Sequence, residues 1–218
     1  MTSADTSAHA AKRRFLSGNR RLVVVALAIA VVVIVCIRGF VLDVFYIPSG
    51  SMEPTLKGGN RVAVWRLDAG EPQRGDIVVF DGSGSLAPYD SGANALTRFA
   101  SEVGAWVGMT QRDDIYVKRV IGVAGDHVHC CAADGKITVN GKPLDEPYIM
   151  PGDAPSTTPF DVVVPEGRMW VMGDHRSESR DSRSLLGAPG GGLIRTDKIV
   201  GRPVAVLWPL DSVTRIRR

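Results

Sequence analysis

The sequence predicts a mainly β domain of short antiparallel strands behind one N-terminal transmembrane helix. Three observations carry that expectation. Residues 22–37, LVVVALAIAVVVIVCI, contain no charged or polar-neutral side chain apart from a cysteine. The rest of the 218-residue chain is rich in turn formers, with 24 Gly and 13 Pro in all. Between those turns lie short apolar runs and alternations of strand length.

The apolar run gives about 24 Å of helix, short of a hydrocarbon core of about 30 Å. Carried on to Leu42 it reaches about 31 Å, with Arg38 snorkelling to the headgroups. A buried core helix would seldom be apolar on every face. The residues after the run, Ile37, Arg38, Gly39 and Phe40, lack the small-x-small pattern of a cleaved signal sequence. The run therefore reads as an uncleaved anchor over 22–42. Lys12, Arg13, Arg14, Arg20 and Arg21 precede it, with Asp5 as the acid nearby. The positive-inside rule places 1–21 in the cytoplasm as a basic tail and 43–218 outside. The formal net charge is only +3, and a basic cluster against an apolar run suits a membrane flank rather than nucleic acid.

In the exported part, RVAVW (61–65) alternates like a strand, and RGDIVVF (74–80) reads as a turn into a buried strand. Arg74-Gly75-Asp76 admits an adhesion reading, but the apolar run that follows at once favours a turn. Residues 81–114 break the rhythm. They hold a Gly/Ser loop, then Leu96, Phe99, Val103 and Trp106 at helical spacing, an amphipathic insertion that packs on the body or lies on a membrane. DIYVKRVIGVAGD (114–126) is a strand with Tyr116, Lys118 and Val120 on one face and Val117, Arg119 and Ile121 on the other. KITVNGKPL holds an Asn140-Gly141 hairpin signal, and RMWVMGD and KIVGRPVAVLW are further strands. Of three cysteines, Cys36 lies in the anchor, and the adjacent Cys130 and Cys131 are compatible with either thiols or a pair. No metal-ligand spacing or phosphate-binding glycine loop occurs, so neither a metal nor a cofactor is expected.

The chemistry concentrates at IPSGSMEPTL (47–56), where Pro48 and Gly50 shape a turn between two serines. Alone, such a cluster is also an ordinary linker. A serine nucleophile needs a base. The GxSxG elbow is absent. A lysine base must be neutral. At its ordinary pKa only about one part in a thousand is neutral at pH 7.4, so desolvation must lower the pKa by about three units, about 4 kcal/mol. Lys118, between Ile115, Tyr116, Val117 and Val120, is placed for that.

Taken in order behind one anchor, IPSGSMEPTL, RGDIVVF, YVKRVIGVAGD and MGDHRSESRDSR resemble the bacterial type I signal (leader) peptidases over about residues 38–210. The resemblance implies an antiparallel coiled-sheet fold. It implies a membrane-anchored serine endopeptidase that removes signal peptides from exported preproteins after small-x-small residues. Its partners would be preprotein signal peptides, the phospholipid membrane and a nearby secretion translocon, with no nucleic acid. Ser51 would be the nucleophile, Lys118 the general base and Ser49 an oxyanion donor beside the Ser51 N–H. Ser179 would orient Lys118, and the Asp181–Arg183 pair would hold the last motif, to which Gly173 and Asp174 also belong. Phe45, Ile47, Pro48, Met52, Leu56, Tyr116 and Val117 would line shallow apolar pockets. His175, Ser177 and Glu178 depart from the usual Asn, Asp and Asn, which touches loop geometry rather than bond making. Rival readings are a self-cleaving repressor, which would carry a DNA-binding domain in place of the anchor, a tethered adhesion module using Arg74-Gly75-Asp76, and an inactive homologue.

Overall fold

The computed structural model describes residues 4–67, 70–86 and 114–216, and two compact units, Met1–Val41 and Leu42–Arg218. In the first, α1 runs Ala4–Phe40. Its stretch Arg20–Arg38 is long and apolar enough to cross a membrane, and none of that stretch is buried within the protein. Apolar side chains cover its whole circumference from Leu22 to Ile37. Leu42, which the sequence reading assigns to the span, opens the first strand. Leu96, Phe99, Val103 and Trp106 of the expected insertion lie outside the described residues.

The second unit is mainly β. A curled antiparallel sheet has the order β1 (Leu42–Tyr46), β2 (Arg61–Trp65), β11 (Ile199–Trp208), β3 (Ile77–Asp81), β4 (Ile115–Gly122), β9 (Arg168–Met172), β10 (Ile194–Arg195), with β12 (Thr214–Arg215) also pairing β11. The curl is built into β11. Its residues from Arg202 onward pair β2, while Ile199 and Gly201 pair β3, and register shifts at Ile199/Gly201, Pro203/Ala205 and Val206/Trp208 break the regularity of both ladders. Gly201 sits at the crossing, where a Cβ would run into the Trp65 carbonyl. A smaller sheet has the order β7 (Lys142–Pro143), β6 (Ile137–Val139), β5 (His127–Cys130) and β8 (Phe160–Val163).

The alternation in RVAVW turns Val62 and Val64 inward and leaves Trp65 exposed. The unbroken IVVF run of β3 is buried on both faces. Ile77 and Val79 join Ile47, Met52, Leu56, Val62 and Val64, while Val78 and Phe80 join Val120, Met169 and Val171. Burying each such side chain contributes about 1.5–3 kcal/mol before chain entropy is counted. A third core links the two sheets through Ile121, Val128, Ile137, Phe160, Trp170 and Met172. The Asn140-Gly141 turn forms as expected, with both residues at positive φ, 54° and 75°. Cys130 and Cys131 form a disulfide at the end of β5.

The Arg74-Gly75-Asp76 triplet is a turn whose charges are used internally. The Arg74 Nε donates to Asp126 at 2.6 Å. Asp76 is buried and pairs with Arg202 at 3.2 Å. That arrangement leaves no carboxylate to present to an adhesion partner.

Candidate active site

The two serines sit on a turn tied down at both ends. The Ile47 N–H donates to the Asn60 carbonyl at 2.8 Å, and the Gly59 N–H donates to the Ile47 carbonyl at 2.7 Å. Inside the turn the Glu53 N–H donates to the Gly50 carbonyl at 2.9 Å. Ile47, Met52 and Leu56 sink into the core below, so the turn is held by packing as well as by hydrogen bonds. Ser51 is 7% exposed, whereas Ser49 is open to solvent.

Strand β4 brings Lys118 to this turn from 67 residues away, with Nζ 2.6 Å from Ser51 Oγ. The Ser49 hydroxyl donates to Ser51 Oγ at 3.3 Å. Lys118 is only 3% exposed. Burial is the main force on it and pushes its pKa down to about 8, against the raising influence of Asp181 and Asp174 and with help from the Arg183 charge. The group is therefore part neutral near physiological pH and can act as a base toward the hydroxyl beside it.

The 173–183 segment closes the far side. A Cβ at Gly173 would run into Ser179 Oγ and the Ser51 carbonyl oxygen, so only glycine permits this approach. The His175 N–H donates to that same Ser51 carbonyl at 3.2 Å. The Gly173 N–H donates to Asp181 Oδ2 at 3.0 Å. Arg183 forks onto Asp181, with Nε–Oδ1 at 2.9 Å and Nη2–Oδ2 at 2.8 Å. Burial would raise the Asp181 carboxyl, but the guanidinium and the Gly173 N–H outweigh it and hold it below the usual range. The Asp181 side chain also caps a short 3₁₀ turn, Ser182–Leu185.

Ser179 lies against Gly173 with its hydroxyl buried beside the Asp181 carboxylate, which it helps to hold below the usual range. The hydrogen bond expected from Ser179 to Lys118 is not formed in this arrangement. His175 reaches Ser51 through its backbone, while its ring Nδ1 lies 3.7 Å from Glu178 Oε2. Of the expected apolar lining, Phe45, Ile47, Met52, Leu56 and Val117 share one cluster. Tyr116 falls on the opposite face of β4, as the period of two dictates, and its ring stacks on Phe80 with centroids 6.1 Å apart. Pro48 is exposed at the turn.

Several residues that hold the site carried little signal in the sequence. Arg119 forks onto Asp174 at 2.8 and 2.7 Å, and Thr55 Oγ1 donates to Asp174 Oδ2 at 2.5 Å. The Arg119 guanidinium lies 3.9 Å from the centre of the Tyr148 ring. An arginine inside an apolar strand, at a position whose period points inward, was the available clue. For Glu146, Tyr148 and Arg176 there was none beyond the motif around residue 176.

Residues 20–208 match the family described as signal peptidase, peptidase S26. The chain is 38% identical over 206 residues to signal peptidase I of Mycobacterium tuberculosis, covering 83% of this chain and 70% of that one. It is 37% identical over 202 residues to a probable signal peptidase I of Mycobacterium leprae, covering 78% and 70%. It is 31% identical over 207 residues to signal peptidase IB of Staphylococcus aureus, covering 87% and 90%. A serine facing a buried lysine, on a curled antiparallel sheet and in a chain that matches this family along most of its length, places the protein among the S26 signal peptidases, serine endopeptidases of the signal peptidase type.

Proposed function

We propose that the protein removes signal peptides from exported preproteins after small-x-small sites, with Ser51 as nucleophile and Lys118 as general base. The observation that carries this reading is the 2.6 Å approach of a buried, pKa-lowered Lys118 to Ser51 Oγ. Neutral Lys118 takes the Ser51 proton as Oγ attacks the scissile carbonyl. The Ser51 N–H and the Ser49 hydroxyl then donate to the oxyanion. As the intermediate collapses, the Lys118 ammonium protonates the leaving amine, and an acyl-enzyme remains. Lys118 next activates the water that releases the signal peptide. The substrate lies extended as an added strand, giving affinity through backbone hydrogen bonds and specificity through small apolar pockets beside Phe45, Pro48 and Val117.

In this reading 1–21 is a cytoplasmic tail, the apolar run from Leu22 is the single span of a cell-membrane protein and ends before Leu42, which opens β1, and the peptidase domain that follows is extracytoplasmic, working close to the secretion translocon. The exposed Tyr46, Trp65, Leu207, Trp208, Leu210 and Val213, with Arg61 against the Trp208 ring, support work at a lipid surface. The test is incubation of the detergent-solubilised protein with a preprotein bearing an Ala-x-Ala site, with the cut located by mass spectrometry. Cleavage after the second alanine is expected. No cut, or cuts unrelated to that site, would contradict the reading.

Ser49→Ala isolates the oxyanion step. Loss of one of two donors lowers kcat by about 10²–10³-fold, and KM stays near its original value because the oxyanion exists only beyond the ground state. Initial rates against preprotein concentration separate the two constants. A large rise in KM at constant kcat would make Ser49 a substrate-binding residue instead.

A further inference from the structure

We infer that Glu146 is a positioning residue for Ser51, acting through Arg176 and the Gly173 carbonyl; the inference rests on the Ser51–Lys118 reading above. Glu146 and Arg176 form an ion pair 30 residues apart, with side chains 4% and 1% exposed. Neither group faces solvent, and neither touches the serine or the lysine. Two of the further hydrogen bonds at Arg176 lie within the segment beside Ser51. Arg176 Nε donates to the Gly173 carbonyl at 2.9 Å, and its Nη1 donates to the Pro155 carbonyl at 2.6 Å. Arg183 Nη2 donates back to the Arg176 carbonyl at 2.8 Å. On the other side, the Tyr148 hydroxyl donates to Glu146 Oε1 at 3.0 Å, and the Tyr148 ring lies under the guanidinium that holds Asp174.

Gly173 is thus gripped on both sides of its peptide units. Its N–H is held by Asp181 and its carbonyl by Arg176. Its Cα lies against the Ser51 carbonyl, which the His175 N–H also binds. Arg176 can keep its place only while Glu146 neutralises it, because an unpaired buried guanidinium is strongly disfavoured. Loss of the carboxylate frees the Gly173 carbonyl, and with it the segment that fixes the Ser51 backbone. A displacement of about 1 Å at a reacting group costs up to about 10²-fold in rate. The loop that carries Glu146 and Tyr148 therefore belongs to the machinery of the site, although it supplies no reacting atom.

Stability and positioning are separated by comparing one single and one double replacement. Glu146→Gln leaves Arg176 charged and unpaired, so both Tm and kcat fall. The double replacement Glu146→Met with Arg176→Met removes both charges and keeps apolar volume, which restores stability in buried pairs of this kind. The expected result is a Tm close to that of the parent protein, with kcat for an Ala-x-Ala preprotein still down by about tenfold to a hundredfold and KM little changed. If the pair serves the fold alone, kcat returns together with Tm, and the inference is overturned. It is equally overturned if Glu146→Gln keeps full kcat below its Tm. Ser51→Ala is run in parallel. A Ser51→Ala protein that still cleaves, or a parent protein that does not, overturns the dyad reading itself, an outcome distinct from a double variant that cleaves at the parent rate.

Discussion

Ser51→Ala and Lys118→Met each lower preprotein cleavage by about 10⁴-fold or more, and the double variant is little worse than either. In the proposed mechanism the two groups, 2.6 Å apart, act as one functional unit. Once the base is gone the hydroxyl stays protonated, and once the hydroxyl is gone the base has no proton to take. Methionine is chosen because it fills the volume of a side chain that is almost wholly buried and removes only the amine. The fold is therefore expected to survive, which circular dichroism and thermal melts check alongside the kinetics. Cleavage within about tenfold of the parent rate by either single variant would remove the dyad from the account.

Asp174→Asn gives the largest expected loss of stability, with a second effect on the chemistry. Asp174 is fully buried, accepts both arms of the Arg119 fork and also takes the Thr55 hydroxyl. Replacing the carboxylate strands a buried guanidinium, at a cost of about 3–5 kcal/mol. For a domain of this size that is a fall in Tm of about 10 °C. The negative charge of Asp174 also favours the Lys118 ammonium, so its removal lowers the lysine pKa further. The acid limb of the pH–rate profile therefore moves to lower pH while the melting temperature drops. An unchanged Tm would show that the Arg119–Asp174 pair contributes nothing net. An acid limb that moves upward would contradict the electrostatic coupling to Lys118.

What could be read from the sequence follows physical range. Strands β2, β3, β4, β9 and β11 announced themselves because alternation or an unbroken apolar run is a local signal, and Asn140-Gly141 marks its own turn. The anchor was carried one residue too far, to Leu42, and β1 went unread because LDVFY has no clear alternation and only its pairing with β2 marks it as a strand. β5 and β8 are four residues each, and their exposed faces carry His127 and Asp161, too short a pattern to separate from loop. The approach of Ser51 and Lys118 spans 67 residues and came through motif resemblance, not through any period. The inward arginine at 119 was visible in β4, but its partner lies 55 residues away and could not be assigned. Glu146 with Arg176 shows the same limit, since an ion pair closed by the tertiary fold leaves no spacing to detect.

The acid limb of kcat/KM for an Ala-x-Ala preprotein, followed from about pH 5 to 10, tests the central claim most directly. With Lys118 as the proposed base, cleavage requires its neutral form, so the rate is expected to climb about tenfold per pH unit and level off near the lysine pKa, about 8. Below that pKa the ammonium dominates and cannot accept the Ser51 proton, above it the amine is free to do so, and the lowered pKa sets where the limb falls. The account predicts that this limb persists in His175→Asn and is abolished with activity in Lys118→Met. A limb centred near the ordinary imidazole value of about 6.5 that disappears in His175→Asn would assign the base to the histidine and contradict the account.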